Sequence, residues 1–219
     1  KRVLALGGAK NHLIVMPDAD TDMASSNIVA SMSGCAGQRC MAASVMVAVS
    51  NTDHIVARMI EHARSVIPGE NLGPVISAEA RERIESYIAE AEANGAKILV
   101  DGRNPVVKGK EGGYWVGPTI IDNVTPGMRI AQEEVFGPVL VIIRAKDLDS
   151  ALAIENASPY GNAASVFTES GATARYVMER ASAGMVGVNV GVPVPREPFS
   201  FGGWNESRFG VGDIPGRGP

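Results

Sequence analysis

The sequence predicts an α/β layered domain built around a largely parallel β-sheet. Short runs rich in β-branched residues alternate along the chain with stretches in which apolar residues recur at helical spacing. One of these runs, residues 139–143 (VLVII), is apolar throughout, which is typical of a strand covered on both faces. Strands that alternate with helices in this way favour one sheet of mainly parallel strands.

The predicted strands are short apolar runs bounded by turn-forming residues, and they cover residues 13–16, 43–49, 97–100, 114–116, 119–121, 139–143, 163–167 and 185–189. The predicted helices follow residues that can cap them. The first helix follows the cap at residues 18–22 and ends near residue 32. The second follows the cap at 51–53 and includes residues 55–63. The others run from about residue 77 to the glycine at 95, over 147–156 and over 172–183. Residues 192–212 are predicted to form a long loop, and such loops are commonly functional.

Composition excludes some classes of protein. The net charge of -4 supplies no basic surface for nucleic acid, and no apolar run approaches the roughly 20 residues of a membrane helix. Residues 1–8 are too short in their apolar part for a signal peptide and are interpreted as a strand already in progress. Because the chain also stops in a Gly/Pro-rich loop, we expect a piece of a longer protein. The two cysteines predict a reducing compartment and not a disulfide scaffold. The expected location is the cytoplasm, or the mitochondrial matrix in a eukaryote.

Both cysteines lie in the glycine-containing segment 33–42 (SGCAGQRCMA). Nothing in this spacing specifies a disulfide, and a metal site would need further donors nearby. His12, His54 and His62 are scattered and are expected to be solvated without a role, so no metal site is predicted. Cys35, between glycine and alanine, is expected to be a buried structural thiol.

Cys40 has two interpretations that the residues alone leave open. It follows a flexible turn, stands beside Arg39, and is expected at the opening of a short helical turn. Free N–H groups and a cation there would favour the thiolate, which is the nucleophilic form. The alternative is a core thiol.

Several motifs in order resemble the aldehyde dehydrogenase superfamily, specifically its catalytic domain: residues 4–8 (LALGG), 37–40 (GQRC), 133–139 (EEVFGPV) and a late 201–203 (FGG). Residues 8–12 (GAKNH), 37–42 (GQRCMA) and 192–195 (VPVP) resemble its CoA-acylating methylmalonate-semialdehyde dehydrogenase branch. The resemblance covers essentially residues 1–219. It implies a three-layer α/β/α catalytic domain, with an N-terminal NAD-binding domain and a final C-terminal segment absent.

The resemblance also implies partners and site residues. The cofactor would be NAD, with CoA as a co-substrate, a small semialdehyde acid as substrate and a homo-oligomer as the assembly. Cys40 would be the catalytic nucleophile, and its N–H would form half of an oxyanion hole. Glu134 would accept hydrogen bonds from a ribose of NAD, and Phe136 would pack beside the nicotinamide end. Without the motif, Glu134 would be interpreted as a solvated carboxylate, and Phe136 could equally be core.

Two further positions bear on the branch. The hydrolytic enzymes of the superfamily carry a general-base Glu in the first motif, where this sequence has Ala5. A methyl group cannot activate water, so the resemblance implies deacylation by CoA. The alternative interpretation is that Ala5 is simply a small residue in a strand, without a functional meaning. Arg39 is interpreted either as an exposed or capping cation, which we favour slightly, or as a partner for a substrate carboxylate. The remaining alternatives are a hydrolytic aldehyde dehydrogenase and a non-catalytic assembly domain.

Overall fold

The computed structural model describes residues 3–196 and 198–210. Its strands are β1 (Leu4–Leu6), β2 (Asn11–Val15), β3 (Ala43–Val49), β4 (Lys97–Val100), β5 (Thr119–Asp122), β6 (Val139–Ala145), β7 (Tyr160–Gly161), β8 (Ala163–Phe167), β9 (Met185–Val188), β10 (Trp204–Asn205) and β11 (Arg208–Gly210). Its helices are α1 (Thr21–Ser33), α2 (Asp53–Arg64), α3 (Ala78–Ala93), α4 (Arg129–Gln132), α5 (Leu148–Asn156) and α6 (Gly171–Met178), with a 3-10 turn at Gly34–Gly37.

The central sheet has seven strands in the order β4-β5-β6-β3-β2-β8-β9. Every neighbouring pair is parallel except β4 and β5, which are antiparallel. Alternate residues of β3 point to opposite faces: Val45 and Val47 pack with α3, α5 and α6, whereas Met46 and Ala48 pack with α1 and α2. The predicted three-layer α/β/α arrangement is therefore confirmed.

Side-chain caps explain why several helices begin where the sequence predicts. Asp20, Ser77 and Asp147 each accept a hydrogen bond from the N–H three residues later, at the start of α1, α3 and α5. The apolar residues of α3 recur on one face, where Ile84 and Ile88 are fully buried. These helices hold the sheet from both sides and leave the loops at its ends free to carry chemistry.

Three predicted elements were wrong in part. Residues 114–116 are irregular, because Gly113 precedes them and Gly117-Pro118 follows, and proline cannot donate to a strand ladder. The helix predicted over 172–183 ends at Met178. The predicted loop 192–212 contains β10, which pairs with β7, and β11, which pairs with β1; its residues 197, 211 and 212 lie outside the described ones.

Candidate active site

The segments that carry the sequence motifs meet at one edge of the sheet. The parallel strands β6, β3, β2 and β8 are consecutive neighbours, and this edge is formed by their amino ends. Gly137, Cys40, Lys10 and Asn162 lie in the loops that lead into these four strands. Loops that precede neighbouring parallel strands emerge side by side, so residues far apart in the sequence come together here.

Cys40 lies in a tight turn that leads into β3. The N–H of Ala42 donates to the carbonyl of Arg39 at 3.0 Å, and the side chain of Cys40 is exposed. Within the described residues, the N–H of Cys40 donates to no protein acceptor. The expected helical turn lies before Cys40, at residues 34–37, instead of opening at it. An accessible thiol with a free N–H can act both as a nucleophile and as a donor to an oxyanion.

The segment before Cys40 has an unusual backbone. Cys35 and Ala36 adopt left-handed conformations with φ of 52° and 53°, and Gly37 follows with φ of 68°. Left-handed backbone costs about 1–2 kcal/mol for a residue with a side chain, and such strain clusters at functional sites. The prediction that Cys35 is buried was wrong, because this turn carries its side chain into solvent while Ala36 and Gly37 are buried.

Gly37 touches the loop that carries Glu134 and Phe136. A Cβ atom placed on Gly37 would lie 2.0 Å from the carbonyl oxygen of Gly137. Only a glycine permits two backbones to approach so closely. The loop that carries Cys40 (residues 34–42) and the loop that carries Glu134 and Phe136 (residues 133–138) are therefore held together by main-chain contact.

We expect Gly37→Ala to destabilise the chain strongly. The left-handed φ alone costs about 1–2 kcal/mol, and the overlap with Gly137 adds to it because backbone on both sides must move. Urea unfolding measures the change in unfolding free energy. Gly73→Ala is the matched control, because nothing lies within 4 Å of its added Cβ. Equal effects of the two substitutions would contradict the close contact.

The loop before β6 is anchored from several sides. An Arg83 Nη1 donates to the carbonyl of Val135 at 2.7 Å. The carboxylate of Glu133 accepts hydrogen bonds from Tyr87 and from Nε of Arg129, the latter at 3.0 Å. These bonds anchor the loop on both sides of Glu134 and leave its carboxylate and the ring of Phe136 available to a ligand.

Glu134 is half-buried, and Phe136 is 39% exposed with φ of 52°. Burial raises the pKa of Glu134, and the nearby N–H of Ala9, together with the charges of Lys10 and Arg83, opposes this rise. Ala9, which follows the glycines of the first motif, therefore lies near the loop that carries Glu134. A held carboxylate beside a partly exposed aromatic ring can bind a ribose hydroxyl and a flat heterocycle.

Lys10 and His12 are both buried, although His12 was expected to be solvated. That expectation was wrong because His12 is placed in β2, on the face that α5 covers. Burial lowers the pKa of Lys10 to about 7, against the opposing charges of Glu134 and Glu133. Burial and the neighbouring Lys10 lower the pKa of His12 to about 4. The imidazole therefore stays neutral at physiological pH.

The neutral His12 predicts a loss of stability in acid. Its folded pKa of about 4 lies below the ordinary histidine value of 6.5, so the unfolded state binds the proton more tightly between these values. This contribution is complete above pH 6.5 and is lost as the pH falls toward 4. We expect the stability advantage of the wild type over His12→Gln to shrink by roughly 2–3 kcal/mol between pH 7 and pH 4. Urea unfolding at both pH values measures it, with His54→Gln on the exposed face of α2 as control; an unchanged difference would refute it.

Two side-chain amides hold the carbonyl group of Cys40. Nδ2 of Asn11 donates to it at 2.9 Å, and Nδ2 of Asn162 donates to it at 2.8 Å. Asn11 also donates to the carbonyl of Ala42 at 2.8 Å. Sequence reasoning assigned no role to Lys10, Asn11 or Asn162. The only signal was that the first two lie within the motif at residues 8–12, because an asparagine's tertiary partners cannot be read from spacing.

The late loop covers the other side of the thiol turn. Val192 and Phe201 pack on a small buried cluster of Met41, Ala163 and Met185. The 192–195 and 201–203 motifs thus reach the same edge as the earlier ones. Ala5 is exposed in β1, opposite Phe209 of β11.

Arg39 caps α1. Its Nη2 donates to the carbonyls of Ala30 and Ser31 at 3.1 and 2.7 Å, in the last turn of that helix. This is the capping interpretation of the two that the sequence allowed, and a guanidinium suits the negative end of a helix.

The described part of the chain contains neither a cluster of side chains that could hold a metal ion nor a helix that could span a membrane. No three His, Cys, Asp or Glu side chains among residues 3–196 and 198–210 lie close enough together to hold a metal ion. In the same residues, no helix combines the length and apolar character needed to cross a membrane.

The chain belongs to the aldehyde dehydrogenase family, whose sequence profile matches residues 1–216. It is 42% identical to malonate-semialdehyde dehydrogenase of Pseudomonas aeruginosa, over 100% of this chain and 45% of that protein. It is 48% identical to malonate-semialdehyde dehydrogenase 2 of Geobacillus thermodenitrificans, over 96% of this chain and 45% of that protein. The chain thus spans about 45% of the length of the curated relatives it matches.

Solved structures agree with this assignment. Methylmalonate-semialdehyde dehydrogenase of Oceanimonas doudoroffii superposes with a TM-score of 0.92 at 44% identity, covering 96% of this chain and 45% of its own. The NAD complex of a Sinorhizobium meliloti protein assigned as a methylmalonate-semialdehyde dehydrogenase superposes with a TM-score of 0.94 at 41% identity, covering 97% and 45%. The sequence resemblance to this superfamily is confirmed.

Proposed function

We propose that the chain is the catalytic domain of an NAD-dependent, CoA-acylating dehydrogenase of malonate or methylmalonate semialdehyde. The observation that carries the proposal is the exposed Cys40, whose N–H has no acceptor within the described residues, at the edge where the motif-bearing loops meet. The names of the relatives support the substrate class. The products would be acetyl-CoA or propanoyl-CoA, CO2 and NADH.

Cys40 would do the covalent chemistry. Its thiolate attacks the aldehyde carbon, and the carbonyl oxygen becomes an oxyanion that the N–H of Cys40 can stabilise. Loss of a hydride from the resulting thiohemiacetal leaves a β-carboxyacyl thioester on Sγ. The carboxylate then leaves as CO2, and the thioester enolate that remains takes up a proton at carbon to give the acetyl or propanoyl thioester. Attack by the CoA thiolate on the thioester carbon then releases acyl-CoA and regenerates the Cys40 thiolate.

Glu134 and Phe136 fit the cofactor that this chemistry requires. NAD, when bound, would accept the hydride. Glu134 would hold a ribose hydroxyl with its half-buried carboxylate, and Phe136 would line the nicotinamide end with its partly exposed ring. The rest of the cofactor site would come from an N-terminal domain of the same protein.

We also propose that the protein acts as a homo-oligomer joined along β9. Within the described residues β9 pairs only with β8, so one edge of this strand carries unpaired N–H and C=O groups. Exposed Val190, Val194 and Phe199 lie just beyond it. Open edges of this kind template pairing with another chain. We expect light scattering to give a mass above that of one chain; a strictly monomeric mass at high concentration would contradict this.

Assay of the whole protein that carries residues 1–219 tests the function. NADH formation is followed with malonate semialdehyde, methylmalonate semialdehyde and a neutral aldehyde of similar size, each with NAD, with and without CoA. The proposal expects turnover with the semialdehyde acids and a thioester of CoA among the products. Absence of NADH formation with both semialdehydes would refute it.

A further inference from the structure

We propose that Asn11 and Asn162 are positioning residues for Cys40. Their side-chain amides fix the peptide group that follows the thiol, so that Sγ and the N–H of Cys40 face the reacting carbonyl together. The inference rests on the proposed function, because it takes Cys40 as the nucleophile.

The carbonyl of Cys40 has no freedom to turn. A carbonyl oxygen has two lone pairs, and here two amide donors, at 2.9 and 2.8 Å, occupy them. The donors come from different elements: Asn11 begins β2, and Asn162 precedes β8, the strand beside β2. Both residues are buried, with 5% and 8% of their surface exposed. Rotation of the peptide would break both bonds and leave the amide groups of two buried side chains without these acceptors.

Asn11 is used only as a donor. Its two N–H groups go to the carbonyls of Cys40 and Ala42, whereas its Oδ1 is buried and has no partner among residues 3–196 and 198–210. An unpaired buried acceptor opposes folding. This unpaired oxygen lies beside the nucleophile. It indicates that the side chain of Asn11 is positioned by the two bonds that its nitrogen donates, in keeping with the strain that is found at functional sites.

Both peptide groups around Cys40 are therefore fixed. The peptide group between Arg39 and Cys40 is held because its carbonyl accepts the N–H of Ala42 at 3.0 Å. In a trans peptide the N–H of Cys40 then points away from that carbonyl. The following one is held by the two asparagines. The fold therefore fixes the N–H and the Cα–Cβ bond of Cys40, and Sγ is limited to the staggered positions about that one bond.

The test separates chemistry on the aldehyde from plain access to the thiol. In the whole protein, Asn162→Leu keeps nearly the size of the side chain but removes the amide donor without adding a charge, and Asn11→Ala removes both donations of Asn11. Asn71→Ala is the control, because Asn71 also makes two hydrogen bonds, to Ser65 and Ile67, but in a surface loop. Two rates are measured for each variant at a temperature where all are folded: the pre-steady-state NADH burst and alkylation of Cys40 by iodoacetamide.

We expect the burst rate to fall about 10- to 100-fold in Asn162→Leu and Asn11→Ala, since a misplacement near 1 Å costs about that much. Alkylation, which needs no oriented N–H, should change less than about threefold, and Asn71→Ala should match the wild type in both. An unchanged burst rate in the folded variants would overturn the inference, as would a parallel loss of both rates. If either variant fails to fold, Asn162→Ser, which keeps one donor, decides with an expected intermediate burst rate. Activity that survives in Cys40→Ala would instead overturn the proposed function.

Discussion

Cys40→Ala in the whole protein is expected to abolish NADH formation, by at least about 10³-fold, as removal of a nucleophile does in other covalent enzymes. Without Sγ no thiohemiacetal can form at residue 40, and the hydride donor of the proposed reaction is lost. The measurement is the initial rate of NADH formation with semialdehyde, NAD and CoA.

Cys35→Ala is the matched control for this substitution. Cys35 is the other free thiol, is also exposed, and lies only five positions away. Because alanine at 36 already adopts the same left-handed backbone, we expect the replacement to fold and to retain most of the activity. Loss of activity in Cys35→Ala with retention in Cys40→Ala would reverse the assignment of the nucleophile.

Omission of CoA is expected to give a burst of NADH followed by slow turnover. Ala5 places a methyl group where the hydrolytic enzymes of the superfamily are expected to carry a general base. General-base assistance is worth about 10²- to 10⁴-fold, so water should be a poor acceptor for the acyl group. Thiols, with an ordinary pKa near 8.5, already supply some thiolate at neutral pH and need less help. Stopped-flow measurement of NADH formation, with and without CoA, follows both phases.

The size of the burst should equal the concentration of active sites, and added CoA should accelerate the slow phase. Desulfo-CoA, which keeps the nucleotide but lacks the thiol, should leave the slow phase unchanged. Fast, linear turnover without CoA would mean that a group other than residue 5 activates water, and the hydrolytic alternative would then hold.

The fold was largely predictable because its elements carry local signals. The strands at 43–49, 97–100 and 163–167 match the predicted bounds, since each is an apolar run with turn residues at both ends. The failures have a common origin in tertiary pairing. The late strands β10 and β11 exist because β7 and β1 pair with them, and no periodicity in a segment rich in glycine and proline reveals such a partner.

The site was predictable to the extent that chemistry resides in residue type. The thiol at Cys40 and the candidate carboxylate at Glu134 were found from the motifs, and their assigned roles remain predictions. The exposure of Cys35 and the burial of His12 were not found, because a left-handed turn and the layer that covers a strand are set by the whole fold. The asparagine amides at Cys40 were missed for the same reason.

The backbone contacts between the site loops also determine when conformational entropy is lost. Gly37 contacts Gly137 through main chain alone, and the N–H of Ala9 lies near Glu134. These contacts therefore involve little side-chain conformational entropy that could be lost on ligand binding. The conformational entropy of the thiol beside the loop at residues 133–138 is thus lost during folding, when burial of the surrounding core offsets this cost. Under the proposed function, substrate and cofactor would meet two loops that are already ordered, and more of their binding free energy would remain available to stabilise the transition state.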